Sequence, residues 1–140
     1  MSREIKFRVW DTEDKKMIYQ AEYAYDCGAW YDVDIDVSCF GEILDENRYI
    51  VEQYTGLKDK NGKEIYEGDI VKRVKPHEFL KNVEEIEIFR IRWGVRKAGF
   101  FAYSKERKKH NIPAKRLNAN DVYEVIGNIH ENPELLGGKE

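Results

Sequence analysis

Gln53-Tyr54-Thr55-Gly56-Leu57-Lys58-Asp59-Lys60-Asn61-Gly62-Lys63-Glu64-Ile65-Tyr66-Glu67-Gly68-Asp69-Ile70-Val71-Lys72 is the stretch on which the reading of this chain turns. Its apolar runs are short and punctuated by turn residues at close intervals, which is strand chemistry rather than helix chemistry. Asn61-Gly62 suits the two φ > 0 positions of a type I′ hairpin turn, so Tyr54–Leu57 and Glu64–Tyr66 are expected to pair across it. Gly68-Asp69 then feeds directly into the short apolar strand Ile70-Val71. Gly56, Gly62 and Gly68 all fall at expected turn positions, where conformational freedom accounts for them without any ligand.

Outward from this block the same period-two logic continues. On the N-terminal side, Tyr49–Tyr54 is a strand candidate, and Ile5, Phe7 and Val9 alternate with Lys6, Arg8 and Trp10. Asp11, Asp14, Lys15 and Lys16 make a turn without glycine before Met17, Ile18 and Tyr19 resume an extended run. On the C-terminal side, Lys75–Lys81 is a polar break containing Pro76. Beyond it Ile86 and Ile88 share one parity while Phe89, Ile91 and Trp93 take the other, which implies a β-bulge or a strand buried on both faces. Gly99–Ser104 is expected to fold back on this strand across Arg96, Lys97 and Ala98. Lys105–Ala119, basic and interrupted by Pro113, reads as a surface loop, and Asp121–Ile129 as a closing strand. Pro133–Leu136 suits one short helical turn.

No segment carries a sustained apolar stripe of helical period. The expected class is therefore mainly β: a small SH3-like β-barrel with an additional N-terminal β-hairpin/sheet region. Residues 1–52 form the N-terminal β region, packed on or contributing to the barrel, 53–136 the barrel region, and 137–140 a tail.

The 140 residues, 36% charged and 41% hydrophobic, suffice for a core without a metal or disulfide staple. No run approaches the roughly 20 apolar residues needed to cross a bilayer, so no membrane role is expected and the cytoplasm is the expected compartment. Cys27 and Cys39 are expected to be free structural thiols. The net charge of −3 hides a segregation: Asp11–Asp69 holds 16 acidic and 6 basic residues, Glu87–Arg116 only 2 acidic against 10 basic. Such complementary halves favour head-to-tail contact between copies as well as attraction of polyanions.

Catalytic, cofactor and metal constellations are not found in the sequence. Asp32, Asp34 and Asp36 share one strand face at about 6.5 to 7 Å spacing, but counting from Asp32 the sixth and twelfth positions of a calcium loop fall on Val37 and Ile43. His77, His110 and His130 lie too far apart for a zinc pair. The residues with a functional pattern are Arg90, Arg92, Arg96, Lys97, Lys105, Arg107, Lys108, Lys109, Lys115 and Arg116, interleaved with Phe89, Trp93, Phe101 and Tyr103. Cations at this density neutralise phosphates, and an exposed Trp93, Phe101 or Tyr103 would stack on unpaired bases. Against this, the parity of most of these aromatics places them in the core.

Three blocks of this chain resemble the YopX family of phage and prophage proteins: REIKFRVWD at Arg3–Asp11, QYTGLKDKNGKEIYEGDIVK at Gln53–Lys72, and YEVIGNIHENPEL at Tyr123–Leu135. The resemblance implies a phage-derived, predominantly β protein with no catalytic residues to carry over. Any activity peculiar to this chain is expected in Thr12–Glu52 and Arg73–Val122. The function expected is that of a binding module for a host or phage protein, or for a second copy of the same chain. Nucleic-acid binding through Arg90–Arg116 is the alternative. Enzymatic activity, through an unidentified metal-dependent site, is the remotest reading, and no cofactor is expected.

Overall fold

The computed structural model describes residues 4–22 and 47–137. Asp32, Asp34, Asp36, Cys27 and Cys39 lie outside them. The chain divides into two compact units, residues 1–56 and 57–140.

In the first unit, β1 (Phe7–Asp11) pairs antiparallel with β2 (Lys16–Tyr19) on one side and with β3 (Tyr49–Lys58) on the other. Val9 stands opposite Ile18 and Val51, and Val9 and Ile18 are both buried. The turn between β1 and β2 needs no glycine because Asp11 caps it. Its Oδ1 accepts from the backbone N–H groups of Glu13 and Asp14, at 3.0 and 3.1 Å. Arg48 grips the same carboxylate with Nε on Oδ1 and a terminal nitrogen on Oδ2, each at 2.8 Å. That hydrogen-bonded guanidinium, helped by the turn N–H groups, outweighs burial and holds the Asp11 carboxyl down to about 2. Arg8 and Glu52, opposite one another in the register, form a second ion pair at 2.8 Å, with both side chains buried.

β4 (Glu64–Tyr66) follows the end of β3 and extends a four-stranded order β2-β1-β3-β4. The second unit is built on a five-stranded antiparallel sheet of order β8-β7-β6-β5-β9, comprising β5 (Asp69–Pro76), β6 (Glu84–Gly94), β7 (Gly99–Tyr103), β8 (Lys115–Arg116) and β9 (Glu124–Asn128). One face of it carries the core: Val71, Phe89, Ile91 and Ala102, joined by Ile65 and Tyr123, with Leu117 and Val125 packed against them. The Phe89 and Tyr123 rings meet edge to face at 6.3 Å, an arrangement that suits the charge distribution of two π systems.

The central block folds as a hairpin, but not through a type I′ turn. Gly62 has φ 84° while Asn61 keeps a negative φ, so only one of the two positions that turn demands is met. Asp59 decides the geometry instead. Its Oδ1 accepts from Asn61 N–H and Lys63 N–H, and its Oδ2 reaches Val125 N–H at 2.9 Å, tying the hairpin to β9. Burial pushes the Asp59 carboxyl up, yet these three backbone donors outweigh burial and leave it below its ordinary range. Gly56, at φ 91°, lies inside β3 rather than in a turn.

Two further expectations are corrected. The parity change in β6 reflects neither a bulge nor burial of both faces: its register with β5 runs unbroken from Glu84 to Arg90 and Ile86 is exposed, while the slip lies between β5 and β9, at Ile126. Lys105–Ala119 is not all loop. Lys105–Lys109 forms a short helix, α1, whose N-cap Ser104 accepts from the N–H groups of Glu106 and Arg107, and Lys115–Arg116 is the edge strand β8. The helix buries none of its own residues, so no apolar stripe was there to announce it. The cap and the terminal lysines sustain it. Pro133–Leu136 does form a 3-10 turn.

Candidate interaction surfaces

Strand β6 organises two surfaces. Its N-terminal half, with β5, projects past its neighbours: β9 pairs β5 only over Asp69–Lys72, and β7 pairs β6 only over Arg90–Gly94. Among the described residues, the two strands form a ribbon from Arg73 to Pro76 and from Glu84 to Phe89 that pairs with no third strand.

The ribbon's two faces have opposite chemistry, because antiparallel partners share a face. On the core-side face Arg73 stands opposite Glu87 and Lys75 opposite Glu85. Glu87 is hydrogen-bonded by Arg73, approached by Lys75 at 3.7 Å, and reached from α1 by Arg107 at 3.3 Å. Burial pushes Glu87 up, but the Arg73 hydrogen bond and the three cations outweigh it and hold it below the usual glutamate range. Asp121 takes Lys115 at 2.9 Å and Arg73 at 3.6 Å. The other face holds Val74 opposite Ile86, which are 44% and 63% exposed. At the ribbon's tip Phe79, 82% exposed, stands with Leu80 and Val83 beside a surface pocket lined by residues 76–84. His77 holds this tip: its Nδ1 accepts from the N–H groups of Phe79 and Leu80, both at 3.0 Å, while Nε2 faces Glu85 at 3.2 Å. Beside Val74 lies a small depression lined by Lys60, Lys72, Val122, Tyr123 and Glu124, with Val122 exposed.

The C-terminal half of β6 is built the other way round. Arg92 pairs with Phe101, and Phe101 with Arg116 of β8, so all three lie on the face opposite the Ile91–Ala102 core. Phe101 is only 5% exposed, and cations lie over it: the Arg116 guanidinium is 4.7 Å and Lys97 Nζ 5.9 Å from its ring centre. Arg92 covers Tyr103 at 5.0 Å. Gly94 and Gly99, opposite one another, make the room. A Cβ on Gly94 would lie 2.7 Å from Phe101, and one on Gly99 would lie 2.1 Å from an Arg116 terminal nitrogen.

The ten basic residues singled out in the sequence therefore separate. Arg107 and Lys115 are neutralised by Glu87 and Asp121. Arg90 is half-buried, opposite Tyr103 and Ile70. Arg92, Lys97 and Arg116 come together over Phe101 and Tyr103, with Arg96 exposed in the same turn. Lys105, Lys108 and Lys109 stand exposed on α1. Phe101 is buried, as its parity reading required, but on the sheet face opposite the Phe89–Ile91 cluster. Trp93 projects on the core side, against Phe100 at 5.0 Å, and is half-exposed. Sequence reasoning missed the ribbon's exposed tip and the paired glycines. The parity break at Ile86 and Ile88 was the available signal for the first, and Gly94 with Gly99 flanking a four-residue turn for the second. Among the described residues no group of three His, Cys, Asp or Glu side chains converges to hold a metal ion, and no helix is long and apolar enough to cross a membrane.

Fold and surfaces define a mainly antiparallel β protein whose second unit presents an apolar ribbon and a cation-covered sheet face. The chain belongs to the YopX family: the family model described as YopX protein matches residues 6–137. It is similar to the crystal structure of protein EF1440 from Enterococcus faecalis, at 32% identity and a TM-score of 0.56, over 96% of this chain and 99% of that one. No curated protein matches it.

Proposed function

We propose that this YopX-family chain is a phage-type accessory protein of the bacterial cytoplasm that acts by binding, and that its partner is protein, in the first place a second copy of itself. The observation that carries the reading is the ribbon's outer face, where Val74 and Ile86 are exposed next to Phe79, Leu80 and Val83 at the tip. Apolar side chains gathered this way on a ribbon, with the charges of Arg73, Lys75, Glu85 and Glu87 drawn to the opposite face, mark an interaction surface rather than a solvated one. Lys72 and Glu84 bracket Val74 and Ile86 on that face. Turning a second copy about a twofold axis between them lays the lysine of one copy over the glutamate of the other, the self-complementarity an isologous contact needs. The second unit is read as a small SH3-like barrel, supported by its Gly68-Asp69 entry, long β5–β6 hairpin and closing strand β9.

Light scattering from micromolar to near-millimolar protein tests this. The wild-type chain is expected to pass from monomer to dimer, and Ile86→Lys to remain monomeric while unfolding at the same temperature. A wild-type chain that stays monomeric throughout would overturn self-association.

A further inference from the structure

We propose a second, independent site: the outer face of β6, β7 and β8, where Arg92, Arg96, Lys97 and Arg116 gather, binds the phosphate backbone of nucleic acid without reading its bases. The cations are positioned before any ligand arrives. Arg116 lies over Phe101, donates from a terminal nitrogen to the Lys97 carbonyl at 3.0 Å, and occupies space that any side chain on Gly99 would take. Lys97 shares the same ring and Arg92 lies over Tyr103. A guanidinium stacked on an aromatic face keeps its edge donors free for phosphate oxygens, and less side-chain entropy is lost on binding.

Charge balance sets this face apart from the rest of the unit. The cations on the core side each sit within 4 Å of a carboxylate: Arg73 of the ribbon and Arg107 of α1 on Glu87, Lys75 on Glu85, and Lys115 of β8 on Asp121. Among the described residues, Arg92, Arg96, Lys97 and Arg116 have no such partner. Four like charges without a counter-ion repel one another, and a polyanion relieves that repulsion. Lys105, Lys108 and Lys109 are exposed on α1, whose Arg107 reaches Glu87 on the core side, so they are not counted in this face.

The burial of Phe101 selects the mode. Single-strand binders offer open rings on which bases stack, whereas here Arg116 and Lys97 cover Phe101 and Arg92 covers Tyr103. Trp93, the most exposed aromatic of this hairpin, projects from the opposite side of the sheet. Contact is thus to phosphates, and a duplex serves at least as well as a single strand.

The test is fluorescence anisotropy with a labelled DNA duplex of mixed sequence and with one of its strands, over a salt series. The wild-type chain is expected to bind the duplex at low salt, with log K falling against log salt by about 0.9 per phosphate neutralised. Arg92→Gln with Arg116→Gln should lower affinity about tenfold or more and flatten the slope by about two. Lys115→Gln, which removes a cation already held by Asp121, should leave the slope unchanged. Gly99→Ala keeps every charge yet displaces Arg116, so it should weaken binding severalfold, with unfolding followed by circular dichroism to show that the fold persists. Absence of binding at low salt, a slope unaffected by the double substitution, or a single strand bound tenfold more tightly than the duplex would each overturn the proposal.

Discussion

The two halves of β6 solve the same problem in opposite ways. From Glu85 to Phe89 the strand pairs its charge: Glu85 and Glu87 are matched by lysine, arginine and histidine on the core-side face, and apolar Ile86 is left exposed on the other. From Arg90 to Gly94 the strand and its partners hide an aromatic: Phe101 is buried under cations that face solvent. A run of alternating residues therefore fixes which side chains share a face, but not which face solvent sees. That is decided by where a partner strand stops and by which carboxylate lies within reach.

The most disruptive way to break the comparison is Phe101→Ala. The ring is buried on the face opposite the Phe89–Ile91 cluster, so its removal is expected to cost about 3 kcal/mol in denaturant unfolding, the range of a large-to-small change at a packed site. A loss under about 1 kcal/mol would mean that the cations merely cover a surface ring. Glu87→Gln comes next, expected to cost about 2 kcal/mol because Arg73 and Arg107 lose their shared anion. Its acid dependence has a definite sign. A carboxyl held below its ordinary value in the folded chain stabilises at pH above its unfolded value, and that contribution is lost as pH falls through the folded one. Glu87, Asp59 and Asp11 all act in this direction. Stability should therefore decline from the ordinary carboxylate range down toward about pH 2, where Asp11 titrates, and the Glu87→Gln variant should show a shallower decline in thermal unfolding. The smallest effect concerns the turn of the basic hairpin, where Ala98 holds φ at 48°. Ala98→Gly removes a left-handed strain at some cost in unfolded-chain entropy, and should raise stability by about 0.5 kcal/mol while leaving the cation face in place.

Much of this was legible in the sequence. The period-two runs identify β1, β3, β5, β6, β7 and β9, and Asp59-Lys60-Asn61-Gly62 announces a hairpin, although the positive φ at Gly62 alone and the Asp59 cap make its turn a different one. The ten cations were visible as a set. Their division was not, because Arg107 meets Glu87 across 20 residues of sequence and Lys115 meets Asp121 through the packing of β8 near the β9 entry. The parity break at Ile86 and Ile88 was also visible, but a bulge and an exposed outer face give the same letters. Only the register, continuous through Glu84–Arg90, separates them. Helix α1 escaped because it rests on a cap and on charge, with no buried stripe to betray it.

Amide chemical shifts followed by nuclear magnetic resonance while the protein concentration is raised test the division of labour along β6 most directly. The amides of Val74, Phe79, Leu80 and Ile86 should move together with a single apparent dissociation constant, while those of Arg92, Lys97 and Phe101 stay in place until duplex DNA is added. Shifts confined to the basic half on concentration, or none anywhere, would contradict the assignment of the apolar ribbon to contact between copies.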